Sequence, residues 1–347
     1  MSEPLLNVEN LRVVFNTDSG NVHAVDGVSY AVNPGSTLAI VGESGSGNSV
    51  AALTTLGLTR GERTEVSGRI LFEGRDLLAL PDRELREIRG NEIAMIFEDP
   101  LSSLHPVDTV GHQVMETILA HRAVSKAAAR DRAIDLLERV GIPDSHRWVE
   151  AYPHEFSAGM RQRVMIAIAL ANEPKLLIAD QPTAMLDVTA QAQILALLEE
   201  LQQQLRMAMI IITHDLGVVA EMADEVAVMY AGRIIERGST EQIFAAPQHP
   251  YTWGLLKSVP RLETSRSEEL VPIPGRPPSL IDRPSGCYFH PRCPYVRDQH
   301  RRVDPRLQPV PEAPGHVVAC LLLPPERKRL WEGLEAGRTP EELRDSQ

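Results

Sequence analysis

Cysteine is scarce in this chain: three among 347 residues, all between positions 287 and 320. That excludes a disulfide-stapled scaffold, and with no export signal the thiols read as reduced groups or metal ligands. The opening Met1-Ser2-Glu3-Pro4 lacks a basic stretch followed by an apolar one, so no secretory signal is expected. Long apolar runs are also missing. The longest, 207–213 and 317–323, are strand-sized, against the ~18–20 residues that cross a bilayer. Positive charge is in short supply: 35 Lys and Arg face 47 Asp and Glu, a net charge of −12. Nucleic acid is therefore not expected as the main partner. What is present is ordinary globular material, 43% apolar and 24% charged, at a length suited to about two domains.

Strand signals come first. Stretches 11–15 and 23–32 alternate and are rich in β-branched residues, and 37–41 is a nearly all-apolar run ending at Gly42, as a buried parallel strand would be. A helix is expected over 49–58 and another buried strand over 93–97. Residues 105–142 carry Glu, Ala, Arg and Leu at helical spacing, most clearly over 125–140. Strands are expected again at 175–180 and 208–213, with a helix over 188–205 between them. This alternation implies a mainly parallel sheet. After about residue 236 proline becomes frequent and an irregular accessory region is expected; 326–347 reads as a charged, frayed helix or tail.

Gly42-Glu43-Ser44-Gly45-Ser46-Gly47-Asn48-Ser49 joins a buried strand to a helix. Its spacing is that of a phosphate-binding loop, G-x-x-x-x-G-K-[ST], with one change. Glycines let backbone N–H groups approach phosphate oxygens, and the helix N-terminus adds favourable partial charge. Ser49 is placed to ligate magnesium. Such a string alone could equally be a Gly/Ser turn; its partner motifs, appearing in the right order, decide for the loop.

Those partners carry a family resemblance. Phe156-Ser157-Ala158-Gly159-Met160-Arg161-Gln162-Arg163 resembles the signature of ABC-type ATPases, and Leu176-Leu177-Ile178-Ala179-Asp180-Gln181-Pro182-Thr183 resembles their Walker B strand. Leu186-Asp187 looks like the end of a D-loop and Thr213-His214-Asp215 like the His-switch. Tyr152-Pro153-His154-Glu155 and His249-Pro250-Tyr251-Thr252 narrow the likeness to the ATP-binding subunits of oligopeptide and dipeptide importers, over about residues 5–322.

The resemblance implies an α/β ABC ATPase: a RecA-like core over 1–100 and 159–235, a helical and signature subdomain over 101–158, a C-terminal extension over 236–325 and a tail over 326–347. It implies ATP with magnesium. The nucleotide would touch Phe15, Gly42, Ser44, Gly45, Ser46, Gly47, Asn48, Ser49, Val50 and Asp180 of one subunit, and Ser157, Gly159 and Asp187 of the facing one; Ser49 and Asp180 would hold magnesium. A strand aromatic in the core fits Phe15 almost as well. The implied partners are a second ABC ATPase (a paralogous subunit or a second copy), two membrane permease subunits near residues 98–106, and indirectly a substrate-binding protein. The implied place is the cytoplasmic face of the membrane, peripherally attached.

The departures from the pattern fall on the chemistry. Asn48 stands where the loop has Lys, Gln181 where the family has the catalytic Glu, Glu98 where it has the Q-loop Gln, and Ala158 where the signature has Gly; Ala184 and Met185 replace a Thr-Ala pair. Counting formal charge, the site becomes one unit more negative. A neutral amide forfeits the lysine's point charge on the β- and γ-phosphates, and loss of a general base costs roughly 10²–10⁴ in rate. His214, Ser49 and Asp180 are retained. Two readings follow: a hydrolysis-deficient subunit acting as structural or regulatory half of a dimer, or an ordinary ATP-hydrolysing subunit that tolerates the changes. A third, a DNA-repair ATPase, is disfavoured by the acidic charge and the absence of a long coiled-coil insertion.

Cys287, Cys293, His300 and Cys320 form a last group. The family's extension often carries four cysteines here, implying a [4Fe–4S] cluster, and three thiolates with a histidine also suit structural zinc. Three inert buried cysteines beside a surface histidine remain the plain alternative.

Overall fold

The computed structural model describes residues 3–258 and 272–345; part of the expected extension, 259–271, lies outside them. Two sheets form the scaffold. The first is antiparallel and has the order β2 (Gly20–Val32), β1 (Leu6–Thr17), β4 (Thr64–Phe72), β5 (Arg75–Asp76). The second has eight strands in the order β11 (Gln308–Pro309), β12 (Val317–Val318), β10 (Arg233–Ser239), β9 (Glu225–Tyr230), β3 (Thr37–Val41), β8 (Ala208–Thr213), β7 (Leu176–Asp180), β6 (Ile93–Ile96). From β9 to β6 every pairing is parallel, while β10 and the two short strands beyond it run antiparallel.

The all-apolar strands read in the sequence are buried on both faces, which is why they do not alternate with polar residues. Successive side chains point to opposite sides. Leu38 and Ile40 therefore enter a core between the two sheets, with Leu6, Val13, Ile70 and Phe72, whereas Ala39 and Val41 face the C-terminal region. In the same way Ile178 and Ile210 face the first sheet, and Leu177 and Ile211 face a helical core. That helical core is built by Val110–His121, Lys126–Arg139 and Ala158–Ala169, each opened by a side-chain cap from Thr109, Ser125 or Ser157. The α/β expectation holds, and the expected helix over 188–205 is Val188–Leu205.

The C-terminal end differs from its sequence reading. Residues 326–347 were expected as a frayed helix or tail. Pro324–Glu335 is instead a packed helix that buries Leu330 and Trp331, and Pro340–Asp345 adds Leu343 to the same core. Three apolar side chains among many charges are too few to show as a periodic signal, yet they suffice once Trp253 and Tyr251 supply the opposing surface.

Candidate nucleotide site

The loop 42–49 leaves the end of β3 and turns into the helix Asn48–Thr55. Gly45 and Gly47 lie in the left-handed region, with φ of 82° and 99°. A Cβ on Gly47 would collide with the Ala24 carbonyl oxygen, and one on Gly42 with that of Met229. The loop is thus folded tightly against its own scaffold, and Gly232 N–H donates to Ser46 O at 2.8 Å to hold it there. Its open side borders a cleft of about 240 Å³ lined by residues 42–50, Glu98, Gln181, Ile212, Thr213 and His214. Four segments far apart in sequence meet there because parallel strands end at one edge of the sheet, where such crevices form.

Asp180 closes β7 at 5% exposure, and its Oδ1 is buried without a partner. Burial pushes its carboxyl above the usual carboxylate range; the Ser49 hydroxyl pulls it down, and Glu98 nearby pushes it up again. An orphaned buried carboxylate oxygen beside a serine hydroxyl fits a hard cation, so Ser49 and Asp180 suit magnesium. Asn48 also has a buried, unpartnered oxygen, Oδ1, at 8% exposure. Gln181 sits at φ 47°, its N–H donating to Ile212 O at 2.8 Å, so the strand-to-turn backbone places it in the cleft. Among the described residues no lysine or arginine lines the cleft, while Glu43 and Glu98 do.

Several expected contacts are not brought together by this one chain. Ser157, Gly159 and Asp187 do not line the cleft. Ser157 and Asp187 instead cap helices, accepting from Met160 N–H, and from Thr189 and Ala190 N–H. Ala158 and Asp187 are exposed, as are Met185 and Val188, at 61% and 82%. Phe15 is half-buried against the core between the sheets and pairs with Val22 and Thr64; it does not line the cleft. Glu43 is a cleft residue that motif spacing did not single out. Its carboxylate meets Arg292, 249 positions away, a pairing no sequence spacing announces.

The cysteine group is not assembled as a metal centre. Among the described residues no three His, Cys, Asp or Glu side chains are arranged to hold an ion. Burial pushes the Cys320 thiol up to about 12 and raises Cys287 and Cys293 as well. His300, expected at the surface in the plain alternative, is 4% exposed, and its Nδ1 accepts from the Arg297 N–H at 2.9 Å. The expected iron–sulfur or zinc site is thus unsupported.

Comparison with known proteins agrees with the geometry. The model of the ABC transporter family matches residues 25–184, and that of the oligopeptide/dipeptide transporter C-terminal region matches 235–299. The oligopeptide transport ATP-binding protein OppD of Bacillus subtilis is 50% identical over 327 residues, 94% of this chain and 91% of that one. The dipeptide transport ATP-binding protein DppD of the same organism is 53% identical over 321 residues, 92% and 95% of the two chains. Among solved structures, a dimeric ATP-binding cassette in a post-hydrolysis state bound to ADP and Pi superposes with a TM-score of 0.61 at 26% identity, over 68% of this chain and 98% of that one. The cbiO1 subunit of a Clostridium perfringens ABC transporter gives 0.59 at 32%, over 71% and 92%. No helix among the described residues is long and apolar enough to cross a membrane. The chain has the ABC cassette fold and belongs to the ABC transporter family, among the ATP-binding subunits of oligopeptide and dipeptide importers.

Proposed function

We propose that the chain is the nucleotide-binding, energy-coupling subunit of a peptide-type importer, working as one half of a dimer beneath two permease subunits, and that its own turnover of ATP is slow. The loop backbone and the N-terminus of Asn48–Thr55 would hold the phosphates, and Ser49 and Asp180 the magnesium. The exposed surface with Ser157, Ala158 and Asp187 would face the partner's nucleotide, with the Ala158 methyl replacing open space at that seam. The core, signature subdomain and extension would divide the chain at the boundaries given above.

One observation carries the slow reading: the cleft meets a polyanion with the Glu98 carboxylate and, among its described lining residues, no lysine or arginine, the Glu43 charge being taken up by Arg292. At Gln181 an amide replaces the carboxylate that would polarise the attacking water. A second reading, an ordinary ATP-hydrolysing subunit, has the relatives in its favour. Half identity along more than nine-tenths of the chain fits it at least as well. Phosphate release by the purified chain, alone and with the double substitution Asn48→Lys and Gln181→Glu, separates the two. Turnover near background that the pair of changes restores supports the slow reading. Brisk turnover of the unaltered chain supports the ordinary one.

A further inference from the structure

The nucleotide would use one face of the phosphate loop; the opposite face is gripped by the C-terminal region. Glu43, the second residue of the loop, takes both arms of the Arg292 guanidinium: Nη1 donates to Oε2 at 2.6 Å and Nη2 to Oε1 at 2.9 Å. Arg292 is 4% exposed at its side chain, its Nε donates to Pro274 O at 2.8 Å, and its guanidinium lies against the Tyr230 and Phe289 rings. The fork is therefore fixed before Glu43 meets it, and a lysine could not reproduce the two parallel bonds. The backbone is held as well, because Glu43 N–H donates to Tyr251 Oη at 2.9 Å, and Tyr251 is fully buried. Both anchors come from segments that supply no nucleotide motif: the helix Pro250–Lys257 and the stretch before Cys293.

A contact serving only to hold the extension on could land anywhere on the core. This one lands inside the loop, next to Gly42, which has no room for a side chain. It also neutralises one of the two glutamates in a cleft whose described lining has no cation of its own. We propose that Arg292 and Tyr251 are positioning residues for the phosphate loop, so that nucleotide affinity is coupled to the docking of the C-terminal region. The proposal rests on the reading that the loop holds nucleotide. Coupling of this kind is reciprocal: if docking tightens nucleotide, nucleotide must tighten docking.

The test uses the full chain in an Asn48→Lys background, where the loop has its lysine, with magnesium-ATP affinity measured by calorimetry. Arg292→Gln should raise Kd about tenfold, Arg292→Lys should recover part of that, and Tyr251→Phe should raise Kd about threefold through one lost hydrogen bond. Amide exchange of the parent chain should slow over 250–257 and 287–293 when magnesium-ATP is added, a readout that a purely structural contact would not move. If Arg292→Gln fails to fold, Tyr251→Phe and the exchange experiment decide. Should the Asn48→Lys chain bind no nucleotide, the functional reading falls and takes the coupling with it. Should it bind while the variants bind equally well, or while both segments exchange at one rate with and without nucleotide, the coupling alone is wrong.

Discussion

The nucleotide core and the C-terminal region are built by opposite means. The core is layered: continuous apolar strands, buried on both faces, stack side chains in register between helices and a second sheet. The C-terminal region has only two two-residue strands among its described residues beyond 258, and beside its apolar cluster it carries buried polar centres. At one of them Glu236, fully buried, accepts from Gln248 N–H at 2.5 Å, His249 N–H at 2.9 Å and the Thr252 hydroxyl at 2.6 Å, and its Oε1 lies 2.8 Å from His316 Nε2. At another, Asp26 of β2 is met by Arg12, Arg233 and Arg283, which hold its carboxyl below the usual range despite a burial that pushes the other way. Apolar burial is non-directional and tolerates adjustment, whereas a buried charge needs every partner in place. The C-terminal region should therefore fail at single atoms where the core yields gradually.

The largest expected change belongs to the chemistry of the core. If the slow reading of the cleft is right, Gln181→Glu with Asn48→Lys should raise phosphate release by roughly 10²–10⁴, about 3–5 kcal/mol of barrier. Next comes the C-terminal region's own centre. Glu236→Ala strands three donors and the His316 ring, at a cost on the order of 3 kcal/mol in denaturant unfolding. If the two regions differ as described, exchange protection should be lost beyond residue 236 while β3, β7 and β8 keep theirs. Uniform loss throughout the chain would erase the contrast.

A pH titration sharpens it further. Burial drives the His249 imidazole down to about 3, helped by the Arg327 and His300 charges, and its Nδ1 accepts from Tyr251 N–H at 3.0 Å. The unfolded chain takes up a proton near pH 6.5 that the folded chain refuses until about pH 3. Stability from this group is thus complete above about 6.5 and lost as pH falls between those values, on the order of 2 kcal/mol by pH 5. Replacing His249 with Asn, which keeps a cap acceptor, should flatten that part of the profile. The smallest effect is expected at Ser125, which caps Lys126–Arg139 through Ala128 N–H. Ser125→Ala should cost about 1 kcal/mol, seen as a modest drop in melting temperature.

Much of the core was legible because its signals are local. The runs at 37–41, 175–180 and 208–213 are apolar over a strand's length, and the glycines at 42, 45 and 47 mark a turn that β-carbons would block. The candidate cleft was legible in its loop and in Gln181 and His214, which line it, with Asp180 just before Gln181 at the end of β7. Phe15 lies half-buried on β1 outside this cleft, and the two roles its sequence position allowed, stacking on a base or packing in the core, are not separated by the strand pattern alone. The cysteine spacing invited a metal, but spacing does not set the distance between thiols on an irregular backbone.

Sequence by itself determined the buried strands near 37–41, 93–97, 175–180 and 208–213 and the phosphate-loop turn, because each depends on residues within a few positions of one another. Tertiary structure alone decided that Glu43 is held by Arg292, that Glu236 is enclosed by His316, and that Trp331 completes a core with Trp253. Those partners are joined only when the chain folds back over many tens of residues, and no periodicity carries information across such a gap.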